Sequence, residues 1–244
     1  MKNITLICAS YNTPTITSNM LKSFCYTNKN TPILICDNST NNDTEVILNQ
    51  SNIPYFKNSG GLHGPSVDLL LEKVTTDYVL LVDSDVIFLR SAEQFFNQAS
   101  ELDLTLAGEV VGDRGGKLLY SRVNPWFCII NAKKAKNNNI KFFDKTRMEQ
   151  AGERKYDVGS TFFEDVKKAK LGIGHIAGEN HFYRHYEGMS WRIEKFGTED
   201  GNIDLNPQAT HNNIALKQHG LKVLNQYELD TKCFNNIELT YEPA

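Results

Sequence analysis

Tyr78-Val79-Leu80-Leu81-Val82-Asp83-Ser84-Asp85 is the stretch on which the reading of this chain turns. Tyr78 to Val82 is apolar throughout, as a central strand covered on both faces should be. The run stops on two carboxylates two positions apart. Should the strand persist through them, both point to the same side. Two acids on one side of a ligand-binding edge repel each other and are costly without a cation. Mg2+ or Mn2+ is the natural partner, because hard cations take carboxylate, water and phosphate oxygens. The plainer alternative is a polar turn that only ends a strand.

Working outward, strand and helix signals alternate. Ile4 to Cys8 is a short buried strand, and Ile16, Met20, Leu21 and Phe24 then recur at helical spacing. Pro32 to Cys36 is a second strand ending on the turn cluster Asp37-Asn38-Ser39, and Ile53 to Phe56 a short third. Gly60-Gly61-Leu62-His63-Gly64-Pro65 turns into a helix, with Pro65 suited to its first position. Val67, Leu70, Leu71 and Val74 form its apolar face. Beyond the two acids, Ser91 and Gln94 fit a capping box for a helix burying Ala92, Phe95, Phe96 and Ala99. This order predicts an α/β fold with a mostly parallel central sheet and helices on both faces. Ligands of such sheets bind at the carboxyl ends of the strands. Ser10-Tyr11-Asn12, Asp37-Asn38-Ser39 and Asp83-Ser84-Asp85 should therefore converge on one edge.

Later segments are less regular. Leu104 to Ala107 and Trp126 to Ile130 read as strands. Ser160 to Lys170 reads as a helix burying Phe162, Phe163, Val166 and Ala169, and Asn206-Pro207 opens a weak helix that Gly220 ends. The 244 residues suffice for a sizeable core, and 23% charged residues are ordinary for a globular chain. A net charge of −3 does not suggest nonspecific nucleic-acid binding. The five cysteines, Cys8, Cys25, Cys36, Cys128 and Cys233, contain no C-x-x-C pair and fit a reducing compartment. The opening Ile4 to Ala9 run is too short for a signal peptide, and no apolar run reaches a membrane span. A cytoplasmic protein is the expectation.

Residues 1–100 resemble the nucleotide-binding half of family-2-type GT-A glycosyltransferases. Ile4 to Asn12 is similar to their first strand ending in Tyr-Asn, and Ile33 to Ser39 to their second ending in Asp-Asn-Ser. Asn58-Ser59-Gly60-Gly61 with Gly64-Pro65 resembles their Gly-rich turn, and Leu80 to Phe88 their D-x-D strand. The resemblance implies a single GT-A domain over 1–244: a nucleotide-sugar half to 100, an acceptor half to 200, and a C-terminal extension. It implies that Tyr11 stacks on the base of the donor and that Asp37 accepts an imide N–H, which uracil offers. A UDP-sugar donor follows. Asp83 then faces the ribose and Asp85 binds the metal, Mn2+ or Mg2+. Gly60 and Gly61 either only make the turn or let backbone N–H groups approach a diphosphate.

His185-Tyr186-Glu187-Gly188-Met189-Ser190-Trp191 resembles the H-x-x-G-x-S stretch that supplies a third metal ligand, which makes His185 the expected one. His181 lies close enough to share its face, and His175, His181 and His185 are an alternative zinc set. Tyr156-Asp157-Val158-Gly159 resembles the Asp-x-Gly segment at the acceptor site. An inverting transferase needs a carboxylate to take the acceptor proton, and Asp157 is the first choice. Glu109 and Asp113, beside the Gly112 to Gly116 loop, are backups, and that loop itself is a candidate lid. Trp126 and Trp191 either stack on a sugar or pack internally. The acceptor is a glycan or another hydroxyl-bearing group, with a modified nucleobase still open. The rival readings are a haloacid-dehalogenase-type phosphohydrolase with Asp83 as nucleophile, a nucleotidyltransferase, and a catalytically silent nucleotide-sugar-binding protein.

Overall fold

The computed structural model describes residues 3–113, 116–179 and 181–185. Through the first half the chain runs β1 (Ile4–Ser10), α1 (Pro14–Thr27), β2 (Ile33–Asp37), α2 (Asp43–Gln50), β3 (Tyr55–Lys57), α3 (His63–Lys73) and β4 (Tyr78–Val82). It continues through β5 (Val86–Phe88), α4 (Glu93–Glu101), β6 (Leu106–Val111), β7 (Arg122–Asn131), α5 (Ala132–Asn137), α6 (Lys145–Gln150), α7 (Ser160–Lys168), β8 (Ile173–His175) and β9 (Tyr183–His185). The expected helix from Asn206, its Gly220 stop, Trp191 and Cys233 lie outside the described residues.

Seven strands form one sheet in the order β3-β2-β1-β4-β7-β6-β8. Only β7 runs antiparallel to its neighbours. A separate antiparallel pair joins β5 to β9. Side-chain alternation divides the core. Leu6, Cys8, Ile33, Ile35, Leu80 and Val82 pack with Met20, Phe24 and Phe95 of α1 and α4. Ile7, Leu34, Val79 and Leu81 pack on the opposite face with Val67, Leu70, Phe162 and Val166 of α3 and α7. Cys8, Cys25, Cys36 and Cys128 are all buried. Among the described residues no helix is long and apolar enough to cross a membrane.

Three local expectations are corrected. The strand does not persist through the acidic pair: β4 ends at Val82, and Val86 N–H turns back to the Asp83 carbonyl. The capping box at Ser91 does not close. Ser91 Oγ accepts from Glu93 N–H, and the Asn28 side chain takes the Ala92 N–H instead. Ala169 follows the last turn of α7 and is exposed. α2 buries only Thr44 and Leu48, too thin a stripe to stand out in the sequence.

Candidate active site

The strand order reverses between β1 and β4, so their carboxyl ends open a crevice where α/β sheets bind ligands. The three polar clusters meet there as expected. Asn38 N–H donates to the Ser10 carbonyl and Asn12 N–H to Ser39 Oγ, tying the first two loops together. Across the crevice Thr13 Oγ1 lies 3.1 Å from Ser84 Oγ, inside a buried hydroxyl cluster with Ser10 and Thr17. Asn12 has a φ of 50°, a left-handed conformation that asparagine tolerates, and its Oδ1 accepts the Thr40 N–H. That bond fixes the loop carrying the half-buried Tyr11.

Asp83, Asp85 and His185 converge, with one ligand atom from each lying within 4.8 Å of the others. The turn after β4 presents both carboxylates. The pairing of β9 with β5, Val86 opposite His185, brings the imidazole across. His185 Nε2 stands 3.2 Å from Asp85 Oδ1, and both side chains are almost fully buried. A second imidazole, His63 at the start of α3, stands 3.2 Å from Asp83 Oδ1 with both partners part-exposed. Burial on its own lowers the proton affinity of each imidazole. Hydrogen bonds to Asp85 and Asp83, with the acidic charges around them, outweigh it and raise both above the ordinary histidine value. Burial pushes the Asp83 carboxyl up, while His63 and then His185 more than offset this and hold it low. Two carboxylates and one imidazole also suit a hard divalent ion such as Mn2+ or Mg2+, so the donor set fits the expected metal.

The alternative zinc set does not assemble. His181 is exposed and packs edge-on against Phe182, while His175 sits on β8 accepting the Val110 N–H. Asp37 is fully buried at the end of β2. Its Oδ1 accepts the Ser39 N–H and its Oδ2 meets Lys57 Nζ at 2.8 Å. Gly60 has a φ of 72° and makes the tight turn for which glycine is needed. Its N–H donates to the Asn38 carbonyl and the Gly61 N–H to the Asn58 carbonyl. Both amides are hydrogen-bonded within the protein. A Cβ at Gly61 would crowd the Asn58 and Asn38 side chains, which would have to shift.

Asp157 precedes α7. Its Oδ2 pairs with the buried Arg122 Nη1 at 3.0 Å, and its Oδ1 accepts the Val158 N–H. Glu109 accepts from Asn124 Nδ2 at 3.0 Å. Asp113 is exposed and clamped by the Leu119 N–H and Arg154, which lower its pKa in that order. Sequence reasoning assigned no role to His63, Lys57 or Arg122. A titratable residue opening a helix directly after a Gly-rich turn is the one available signal, and it belongs to His63.

No known protein-family model matches the chain, and no curated protein does so either. Solved structures do. Residues 1–349 of S. aureus TarS superpose with a TM-score of 0.53 at 16% identity, covering 92% of this chain and 72% of that one. A longer TarS structure is covered over 42% of its length. The mannosyltransferase PcManGT from Pyrobaculum calidifontis, in complex with GDP-Man and Mn2+, gives 0.54 at 11% identity, over 92% of this chain and 72% of that one. The galactosyltransferase LgtC, bound to donor and acceptor sugar analogues, gives 0.50 at 14% identity, over 86% and 99%. At such identities the likeness is one of fold. The acidic pair follows the fourth strand here, not the first as the dehalogenase-type rival requires. The architecture, with its Asp-x-Asp turn at the switch point, is that of the GT-A glycosyltransferases, and this chain has the GT-A fold.

Proposed function

We propose that this chain is a metal-dependent glycosyltransferase that moves a sugar from a nucleoside-diphosphate donor, a UDP-sugar, to a hydroxyl-bearing acceptor such as a glycan. The observation that carries the reading is the Asp83–Asp85–His185 cluster at the β1/β4 switch point. Asp85 and His185 hold the cation, and Asp83 faces both the cation and the donor ribose. Bound there, Mn2+ or Mg2+ neutralises charge growing on the leaving diphosphate. Tyr11 covers the base, and the buried Asp37 carboxylate supplies an acceptor for the uracil imide N–H. Each carboxylate oxygen has two lone pairs, so Lys57 and the base can share Asp37. Gly60 and Gly61 shape the wall of the donor site through their turn.

Asp157 takes the acceptor proton as the hydroxyl attacks, which makes the reaction inverting. Arg122 holds that carboxylate in place. Glu109 on β6 is the second choice, because Asn124 of β7, the strand that also carries Trp126, donates to it and fixes it. The test is a melting and turnover screen of UDP-, GDP- and TDP-sugars with and without Mn2+. UDP with Mn2+ at a hundredfold over Kd should stabilise the fold by about 2.7 kcal/mol, which is a rise of roughly 5–10 °C for a chain of this size. A response to GDP alone moves the base assignment. Stabilisation without sugar release favours the silent binding protein, and no response to any nucleotide sinks the proposal.

A further inference from the structure

Trp126 touches both halves of the acidic cluster. Its backbone carbonyl accepts the Asp83 N–H at 3.1 Å. Its indole lies flat on the His185 imidazole, with centroids 4.8 Å apart and planes 11° from parallel. One residue can reach both halves because β7 bulges. Between the pairs Gly108–Cys128 and Val110–Val123, β6 advances two residues while β7 advances five. The extra length carries the chain outward at Asn124 to Trp126, as bulges beside active sites re-aim side chains. Gly108 permits the close approach: a Cβ there would lie 2.6 Å from Val123 and 3.1 Å from the Phe127 carbonyl.

A histidine that ligates a metal ordinarily has its plane fixed by a hydrogen bond from its other ring nitrogen. His185 lacks one. Its Nε2 faces Asp85, and its buried Nδ1 has no hydrogen-bond partner among the described residues. We infer that Trp126 is a positioning residue for the cation site, setting the plane of His185 with its ring and the place of Asp83 with its carbonyl. This rests on the reading of the cluster as a cation site. The side chain thereby governs cation affinity without being a ligand.

The test is Mn2+ binding by calorimetry, run first on the wild-type protein. Trp126→Leu should weaken it about 10–100-fold, the range seen when groups that orient a ligand are removed. Trp126→Phe keeps a ring to stack and should recover most of the loss. In a His185→Ala background, Trp126→Leu should cost little more, because its target ring is gone. A second readout uses the native residue. With Trp191→Phe, Trp126 is the lone tryptophan. Its emission should then be quenched by saturating paramagnetic Mn2+, much less by Mg2+, and not when His185 is also Ala. That arm decides should Trp126→Leu fail to fold. Unchanged Mn2+ affinity in folded Trp126→Leu, an equal loss with and without His185, or Trp126 emission indifferent to Mn2+ overturns the inference. A wild-type protein that binds no Mn2+ removes the cation reading itself, a result distinct from these three.

Discussion

His63–Asp83 and His185–Asp85 are chemically the same pair at the same 3.2 Å separation, and the fold treats them differently. In the first, the side chains are 30% and 28% exposed; in the second, 6% and 4%. The exposed pair joins a helix start to a turn and borders the crevice. The buried pair is built by two strands and an indole, with little solvent to compensate a missing partner. A charge near water can lose its partner cheaply, whereas a buried one cannot. The inner pair should therefore carry the site's affinity and rigidity, and the outer pair should tune donor contact.

The largest effect that tests this contrast is on turnover. Asp85→Asn should lower Mn2+-dependent sugar release about 10³-fold, since metal assistance is worth several kcal/mol of barrier. Asp83→Asn should cost about 10–100-fold, with more of the loss in KM for the donor. Equal losses in steady-state kinetics break the distinction between the two carboxylates.

Asp157→Asn comes next, with an expected drop in kcat of about 10²–10⁴-fold and donor and metal affinity intact. Glu109→Gln measured beside it decides between the two candidate bases. Normal turnover in Asp157→Asn with a dead Glu109→Gln would move proton removal to the strand beside Trp126.

Stability in chelator sharpens the comparison without any substrate. His185→Ala leaves Asp85 buried without its imidazole and should cost roughly 1–3 kcal/mol, a fall of about 2–10 °C in melting temperature. His63→Ala should cost less than this, because both side chains are part-exposed even though their facing atoms are buried. Matching melting curves for the two variants would show that burial does not separate the pairs.

A pH-dependent effect concerns a carboxylate that backbone amides hold instead of histidine. Asp68 on α3 accepts the Phe142 and Phe143 N–H groups. Burial nonetheless pushes its pKa up to about 6, the amides and Lys141 only partly offsetting it. The folded state then binds more protons than the unfolded one between the ordinary aspartate value and about 6. Asp68's contribution is fully present at pH below the unfolded value and is lost as pH rises through about 6. With solvent screening counted, this is roughly 1–2 kcal/mol. Asp68→Asn should flatten that part of the stability profile between pH 4 and 7. Parallel profiles for the two proteins would dismiss Asp68 as its source.

Much of this arrangement was written locally in the chain. A five-residue apolar run that stops on a polar turn is too short for a helix and fits a strand covered on both faces, so β4 and its central place could be read from Tyr78 to Val82. Helical spacing at Val67, Leu70 and Leu71 announced α3, and the polar clusters at three strand ends foretold a shared edge. Even the acidic pair was found, although for the wrong local reason: a turn, not a continued strand, presents Asp83 and Asp85. The second half hid more. β8 and β9 have three residues each and α5 and α6 six, too few to display a period. The bulge in β7 breaks alternation where Trp126 faces the site. What the sequence alone determined were the properties that recur within one or two turns or strands. Only the tertiary structure decided the partnerships: Lys57 with Asp37, His63 with Asp83, Arg122 with Asp157 and Trp126 with His185. Each joins residues 20 or more positions apart. Such pairs are set by strand order, register and packing against neighbouring elements, and no local periodicity encodes them.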